Sequence, residues 1–381
     1  MVSGPNGQPN GPSGYPSISP DGRFVAFLSD ASNLIPGDDK GHFDVFVRDR
    51  FEQTTRWMNP SFAGTALLAD TIEARISGDG SAIAFVTDAA TVVGNDTNGV
   101  ADVFVRDVFG TSIERVSVFP DGSQATERST KPALSDDGRY VVFSSDANLA
   151  GGVIAAEDLY RRDRTTDTTV LVDIRNGGGL PDLGAGGGAV SGNGRWVAFA
   201  SEATNIVTGD TNGAFDVFLR DMTTTTVTRV SLSDSDAQLP AGGVVVRDGI
   251  SDDVKTILFA SLSPATAAAD AGNDFDLYAR STATGTTRRL STGPSAADPV
   301  GQVVTGSLDG SGTTAAFDHA AKLTGESPDQ VYTSGPVDIG PFVNVGSTIS
   351  AQYHDFLGRS PTAAETSTWT NRFSTGQAQY P

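Results

Sequence analysis

The chain has 381 residues, of which 46 are acidic and 26 are Lys or Arg, so its formal net charge at pH 7 is −20. A surface with this charge repels nucleic acid and anionic lipid, which excludes both as expected partners, and it attracts cations. The chain has no Cys, so neither disulfides nor thiolate metal sites can form. No apolar run reaches the roughly 18 residues of a membrane-spanning helix, so we expect no membrane insertion.

The composition favours short strands and turns, with 44 Gly and 38% hydrophobic residues. The N-terminus lacks the basic and then apolar pattern of a signal peptide. An acidic, Thr-rich chain without Cys is typical of exported bacterial proteins. We therefore expect an extracellular or cell-surface location, for a chain from which the signal peptide is absent.

Residues 1–14 are rich in Gly and Pro and contain little apolar surface to bury. Ordering such a segment costs conformational entropy that few contacts offset. The segment is interpreted either as an extended arm that docks elsewhere or as a disordered tail.

From Tyr15 onwards one unit is repeated six times. Each copy has a tight turn, usually with Asp-Gly or Asn-Gly, followed by a strand that contains a Phe. The turn of the fifth copy lacks the glycine, and that of the sixth is interpreted as shifted. A steady interval of about 58 residues between the aromatics indicates a repeat architecture. These aromatics are Phe27, Phe85, Phe143, Phe199, Phe259 and Phe317.

Four short strands are predicted in each repeat. In the second repeat, residues 82–86 are apolar on both faces, which is typical of a strand between other layers. Residues 103–105 form the next strand, and residues 113–117 alternate as an outer strand does. The sequence therefore predicts an all-β chain whose residues 15–340 form a six-bladed β-propeller of four-stranded antiparallel blades. A solenoid of stacked hairpins would need polar caps, and none is found.

The repeat also resembles a known one. Residues 19–27, Ser-Pro-Asp-Gly-Arg-Phe-Val-Ala-Phe, with Asp-Val-Phe-Val at 44–47 and an Arg-rich last strand, are similar to the TolB-type, WD-like propeller repeat of bacterial periplasmic and secreted proteins. The resemblance covers residues 15 to 335 and implies a six-bladed propeller. It implies little about function, because such propellers serve as docking platforms, as gates on serine peptidases and as sugar-acid lyases.

The sixth repeat is incomplete, since no counterpart of residues 113–117 follows Tyr332. Its outer strand is missing, is an irregular strand at 337–339, or comes from the arm of the same or a neighbouring chain. An uncovered strand edge invites pairing. We therefore expect a protein partner or self-association, through the arm, the incomplete sixth blade or the C-terminal tail.

Residues 341–381 are predicted to form a short helical hairpin. Residues 347–356 form one helix that ends before Gly358, and a capping box at Thr362 and Glu365 opens a second. Residues 353–361 and Trp369 are similar to the start of a helical domain of unassigned function, found in secreted bacterial proteins and resembling phycobilisome linkers. The later helices of that family are absent, so the module is partial.

The acidic loop before the third strand is the strongest candidate site. In the second repeat, Asp96, Asn98 and Asp102 supply side-chain oxygens at alternating positions, and the carbonyl of Val100 adds another. Calcium prefers six to eight such oxygens. The predicted ligands in the other repeats are Asp210, Asn212, Ala214 and Asp216 in the fourth, Asp38 and Asp44 in the first, and Asp270 and Asp276 in the fifth. The alternative is a loop in which Asn-Gly makes the turn and Asp caps backbone N–H groups.

An Arg stands two residues after the aromatic of the third strand in five repeats, and we expect it to pair with carboxylates of the next blade. The three His are scattered, so a His metal cluster or general base is not expected. The sequence predicts a non-enzymatic, calcium-stabilised extracellular propeller that serves as a binding or assembly scaffold. The alternatives are a self-assembling filament or surface-layer subunit, and a polysaccharide-active hydrolase or lyase using the central face.

Overall fold

A computed structural model describes residues 9–38, 41–61, 63–65, 67–150, 157–266, 274–291, 303–319 and 330–334. Every regular element in these ranges is a β-strand. None of the described residues belongs to a helix long and apolar enough to cross a membrane. The predicted helical hairpin at 341–381 and residues 1–8 of the arm lie outside the described residues.

Six antiparallel sheets follow one another along the chain, and we call them blades 1 to 6. Blade 1 contains β1 (Ser13–Ile18), β2 (Phe24–Ser29), β3 (Asp44–Asp49) and β4 (Thr54–Trp57); blade 2 contains β5 (Thr71–Ile76), β6 (Ala82–Thr87), β7 (Asp102–Asp107) and β8 (Ile113–Arg115); blade 3 contains β9 (Ser129–Leu134), β10 (Tyr140–Ser145), β11 (Asp158–Asp163) and β12 (Thr168–Leu171). Blade 4 contains β13 (Ala185–Val190), β14 (Trp196–Ser201), β15 (Asp216–Asp221) and β16 (Val227–Arg229); blade 5 contains β17 (Val244–Ile250), β18 (Thr256–Ser261), β19 (Asp276–Ser281) and β20 (Thr287–Arg289); blade 6 contains β21 (Val303–Leu308), β22 (Ala315–His319) and β23 (Gln330–Ser334).

The strands of each blade lie in sequence order, so each blade is an antiparallel meander. Five blades have four strands, and the sixth has three in the part of the chain that the structure describes. The prediction of an all-β chain built from repeated four-stranded antiparallel sheets is confirmed. The first strand begins at Ser13, two residues before the expected boundary, and the described part of the arm lies on its own blade, where Pro12 accepts the N–H of Asp30.

The first strands of consecutive blades contact one another from β1 through β21, which places them innermost. The apolar core lies between consecutive blades, and each cluster combines residues of two neighbours. The repeated aromatics pair within it, as Phe85 and Phe104 do with ring centroids 5.6 Å apart. Both are fully buried, and burial of each such ring contributes roughly 1.5–3 kcal/mol. Among the described strands, no comparable packing joins blade 6 to blade 1.

The turn between the first two strands has the same geometry in every blade. In blade 2, Ser77 donates its hydroxyl to Asp79, and Gly80 has a φ of 71°. The glycine missing from the fifth turn is replaced by Val254, which adopts a φ of 59°, a strained conformation for a β-branched residue. The sixth turn is not shifted, because Gly312 has a φ of 71° at the same position.

The second residue of these turns is Gly in the even blades and Asp in blades 3 and 5. Each Asp of the odd blades lies against a Gly of an even blade. A β-carbon on Gly192 would lie 2.1 Å from a carboxylate oxygen of Asp136 and 2.9 Å from one of Asp252. Backbone hydrogen bonds join the same turns, with the N–H of Asp136 donating to Gly192 at 2.8 Å. From blade 1 to blade 6 the residues are Pro20, Gly78, Asp136, Gly192, Asp252 and Gly310.

Candidate sites in the acidic loops and on the central surface

A buried aspartate begins the third strand in each of the first five blades. The second residue after the fourth strand accepts the N–H of the residue that follows this aspartate on the third strand. In blade 2, Ser117 accepts the N–H of Val103 at 3.0 Å and donates its hydroxyl to Asp102 at 2.6 Å. These aspartates are Asp44, Asp102, Asp158, Asp216 and Asp276. The position is thus an anchor that joins the acidic loop to the outer strand.

In blade 2 the two predicted carboxylate ligands lie beside an arginine. The Nη1 atom of Arg115 is 3.3 Å from Asp96 and 3.5 Å from Asp102, and all three side chains are at most 3% exposed. The amide of Gln124 donates to Asp96 at 2.7 Å. Blade 2 therefore already contains a cation against its acidic pair.

Blade 4 repeats this arrangement. Arg229 lies 3.3 Å from Asp210 and 3.6 Å from Asp216. Gln238 donates to both carboxylates, at 2.8 and 2.9 Å. The same arginine position therefore neutralises the same pair of acids in both of the loops that match the calcium pattern best.

The asparagines of these loops make the turn itself. The side-chain oxygen of Asn98 accepts the N–H of Val100 at 3.2 Å, and that of Asn212 accepts the N–H of Ala214 at 3.1 Å. Gly99, which lies between Asn98 and Val100, has a left-handed φ of 67°. The amide nitrogen of Asn98 donates to Asp102 at 3.3 Å, so the side chain presents a donor to the carboxylate.

The acidic loops of blades 1 and 5 differ from those of blades 2 and 4. In blade 5, Arg289 donates to Asp276 at 2.5 Å, whereas Asp270 lies outside the described residues. In blade 1, Trp57 takes the arginine position, opposite the aromatic of the third strand. Asp38 and Asp44 are both buried there, and Asn59 donates to Asp44 at 2.7 Å.

Burial disfavours the charged form of these acids. Burial raises the pKa of Asp102, although Ser117 and Arg115 act against this shift. Burial and the charge of Asp38 raise the pKa of Asp44 to about 7. The blade that lacks the arginine therefore has the less favourable carboxylate.

The fit of calcium to these loops depends on the blade. In blades 2 and 4, an ion bound between the carboxylates would have to displace the arginine and reverse the asparagine, which now offers its nitrogen. In blade 1, Trp57 lies where the arginine lies in blades 2 and 4. No cluster of three or more His, Asp or Glu side chains suited to a metal occurs among the described residues. Calcium binding therefore stays a prediction.

The inner strands form a second candidate site, which we call the central surface: Tyr15, Glu73, Arg75, Lys131, Arg247 and Asp248. Each inner strand contains a β-bulge. At three of the bulges a residue other than glycine has a left-handed φ: 53° at Tyr15, 56° at Lys131 and 53° at Asp248. Bulges re-aim side chains, and strained residues of this kind gather at functional sites.

Charged side chains meet on this surface. Arg247 of blade 5 donates to Glu73 of blade 2 at 3.1 and 3.3 Å, although 174 residues separate them. Lys131 donates to Glu157 at 2.7 and 3.0 Å. Burial lowers the pKa of Arg75, and the positive charge of Arg247 lowers it further. Blades 2 and 5 are therefore linked electrostatically, although blades 3 and 4 lie between them along the chain.

A cleft of about 450 Å³ opens between blades 1 and 2 beside the inner strand β5. In it, Nδ1 of His42 lies 3.2 Å from Asp70, which also accepts the N–H of Phe43. Ile72 is 48% exposed and lines the same cleft. The cleft has both polar and apolar lining residues.

The expectation for the third-strand arginines was wrong. Arg48 bonds within its own blade, to Thr55 and Gln53. Arg220 donates to backbone carbonyls of the preceding blade rather than to carboxylates. Arg280 does reach the carboxylate of Asp236, but that residue follows blade 4 and so precedes blade 5 along the chain.

Sequence reasoning did not detect two features of these sites. The arginines across the acidic pairs lie 13 residues after the third-strand aspartate, and only the strand register brings them opposite the aromatics. Asp173, which pairs with Asp158 in blade 3, belongs to no recognisable motif. Alignment of the repeats could have revealed both features, because the arginine position and the position of Asp173 hold different residue types in different blades.

No protein family model matches the chain, and no curated protein matches it. Solved structures to which it is similar include TolB from Acinetobacter baumannii, with 17% identity and a TM-score of 0.41 over 73% of this chain and 53% of that one. The chain therefore spans about half the length of that TolB chain.

Two enzymes are also among the similar structures. An oligogalacturonate lyase in complex with manganese has 13% identity and a TM-score of 0.51, covering 84% of this chain and 73% of the lyase. An acylaminoacyl peptidase has 11% identity and a TM-score of 0.50, covering 85% of this chain and 44% of the peptidase. At these identities the likeness concerns the fold alone.

Proposed function

We propose that this protein is a non-enzymatic binding scaffold, a six-bladed β-propeller that holds a protein partner on its central surface. The observation that carries the proposal is the presence of left-handed residues in the bulges of three inner strands, Tyr15, Lys131 and Asp248. A left-handed Tyr or Lys costs of order 1–3 kcal/mol, and such strain is tolerated where it positions a side chain for use. Tyr15 is 65% exposed, so its ring is accessible to a partner.

The proposal includes an extracellular or cell-surface location and the binding of calcium. An acidic, Cys-free chain is suited to the outside of the cell or its surface, where calcium sites with affinities of about 10⁻⁴–10⁻³ M are filled. Partner binding by a propeller needs no chemistry from the scaffold, in keeping with the scattered His. Activity on polysaccharides or peptides would overturn the non-enzymatic part of the proposal.

The test compares two exposed aromatics. The immobilised full chain should capture its partner from an envelope extract of the source organism. Tyr15→Ala should weaken this capture, because it removes a ring from the central surface. Phe51→Ala is the matched control, since Phe51 is 79% exposed on an outer turn. Equal capture by both variants would contradict the central surface as the binding site.

Self-assembly is a second candidate, and one observation favours it. Blade 6 has three strands, and among the described residues no strand pairs with the outer side of β23. A free strand edge can accept a strand from another chain. Light scattering during size-exclusion chromatography, over a range of concentrations and with or without calcium, should then show species larger than one chain. A monomer under every condition would exclude this candidate.

A further inference from the structure

Blade 3 differs from its neighbours at one buried position. The second residue after the fourth strand is a neutral hydrogen-bond donor in the four other complete blades. Each donates to the third-strand aspartate of its blade, at 2.5 to 2.7 Å. These donors are Asn59, Ser117, Ser231 and Ser291. In blade 3 the same place is taken by Asp173.

Asp173 keeps the backbone half of the arrangement. It accepts the N–H of Leu159 at 3.1 Å, as Ser231 accepts the N–H of Val217 in blade 4. Asp173 is fully buried and Asp158 is 3% exposed. A carboxylate has no hydrogen to donate, so only a protonated carboxyl can replace the donor that the other blades supply.

The arginine that neutralises the acids elsewhere is also missing. In blades 2, 4 and 5 it lies opposite the aromatic of the third strand, whereas in blade 3 Leu171 lies opposite Tyr160. One oxygen of Asp158 and one of Asp173 are buried without a hydrogen-bond partner. Two ionised carboxylates side by side in such a place would repel each other strongly.

Among the residues that the structure describes, the other charged and titratable groups around the pair do not neutralise it. Glu157 is the next residue along the chain, adds negative charge, and is paired with Lys131. Tyr160 of β11 is buried, and burial raises the pKa of its hydroxyl. Arg220 of blade 4 interacts with Asp173 electrostatically, but its Nη1 donates to the carbonyls of blade 3.

We propose that the folded protein holds one proton between Asp158 and Asp173 at neutral pH, so that blade 3 uses a proton where blades 2, 4 and 5 use an arginine. Loss of this proton to solvent leaves two buried negative charges and loosens the start of β11. The backbone there also joins blades 3 and 4, because the carbonyl of Glu157 accepts the N–H of Ala185 at 3.0 Å. Blade 3 is therefore a pH-sensitive joint beside the central surface.

The direction of the pH effect follows from the pair. Burial, followed by the charge of Asp158, raises the pKa of Asp173 from 3.8 to about 8. A raised pKa in the folded state means that the folded protein holds a proton that the unfolded chain has released. The stability from this proton is complete below 3.8 and is lost as the pH rises towards about 8.

The test uses Asp173→Asn, which installs the residue of blade 1. Relative to this variant, the wild-type unfolding constant should rise by up to about tenfold per pH unit between pH 5 and pH 8. Asp173→Ser, the residue of blades 2, 4 and 5, serves as a second variant should the first fail to fold. Ser231→Asn in blade 4 is the control, and it should keep the wild-type pH dependence.

Hydrogen exchange locates the effect. The exchange rate of the Leu159 amide, divided by that of Val217 in blade 4, should increase in the wild-type protein as the pH rises through about 8. The ratio should stay constant in Asp173→Asn. A wild-type ratio that does not change with pH, or a pH dependence of unfolding that survives both substitutions, would overturn the proposal. So would a wild-type stability above pH 8 that depends on EGTA, since the pair would then hold a metal ion.

Discussion

Removing Arg115 tests whether the acidic loops depend on their internal cation. Arg115→Leu installs the residue that blade 3 has at this position and keeps an apolar side chain against the strand. It leaves Asp96 and Asp102 buried at 6% and 0% exposure without the guanidinium that now lies 3.3 and 3.5 Å away. Breaking a buried ion pair by removing one partner costs about 3–5 kcal/mol. We expect a value near 3 kcal/mol, because Nη1 makes these contacts without the geometry of a hydrogen bond.

Urea unfolding at pH 7, followed by circular dichroism and tryptophan fluorescence, measures this loss. Urea is uncharged, so it does not screen the ion pair as guanidinium chloride would. Arg128→Leu is the matched control, because Arg128 pairs with Asp146 on the surface, where the two side chains are 64% and 36% exposed. Such a pair contributes about 0–1 kcal/mol. Equal losses in the two variants would refute the role given to Arg115.

Three further predictions concern the whole chain, one turn and one surface pair. If the acidic loops bind calcium, EGTA should lower the melting temperature relative to saturating calcium, and an unchanged melt would count against the calcium prediction. Gly194→Ala should destabilise the protein more than Gly209→Ala. Both glycines have a left-handed φ, but only at Gly194 would the new β-carbon meet a neighbour, the Tyr140 ring at 1.9 Å. Equal melting temperatures of the two variants would contradict this prediction. The hydrogen bond from the Arg139 guanidinium lowers the pKa of Asp163 to about 2, so Asp163→Asn should be destabilising at pH 7. Its difference from wild type should shrink as the pH falls from 3.8 through about 2. A difference as large at pH 2 as at pH 7 would show that the ion pair is not its cause.

The blades were predictable because their signals are local and repeated. Asp-Gly turns, doubly apolar second strands and paired aromatics recur at the same interval, so each copy supports the reading of the others. Even the irregular spacing has a structural cause. The interval from Phe199 to Phe259 is the longest, and the inner strand of blade 5 carries the widest bulge, between Val245 and Ile250. That bulge carries Arg247 across to Glu73.

The sites were less predictable because they depend on strand register and burial. The loop from Asp96 to Asp102 was recognised as acidic and turn-forming, but its charge is countered by Arg115 on another strand. A motif read along the chain does not contain that residue. The sequence gives no sign of the left-handed conformation of Tyr15 either, since a bulge changes the strand register without changing the alternation of residue types.

The alternation of Asp and Gly in the turns of the inner hairpins constrains which blades could be deleted from the protein. Deleting blade 4 would remove Gly192 and bring the turns of Asp136 and Asp252 together, although burial followed by the charge of Asp136 already raises the pKa of Asp252 to about 6. Deleting blades 4 and 5 together would instead place Asp136 against Gly310, a contact of the kind the protein already contains. Removal of blade 4 alone therefore creates an electrostatic conflict that its removal together with blade 5 avoids.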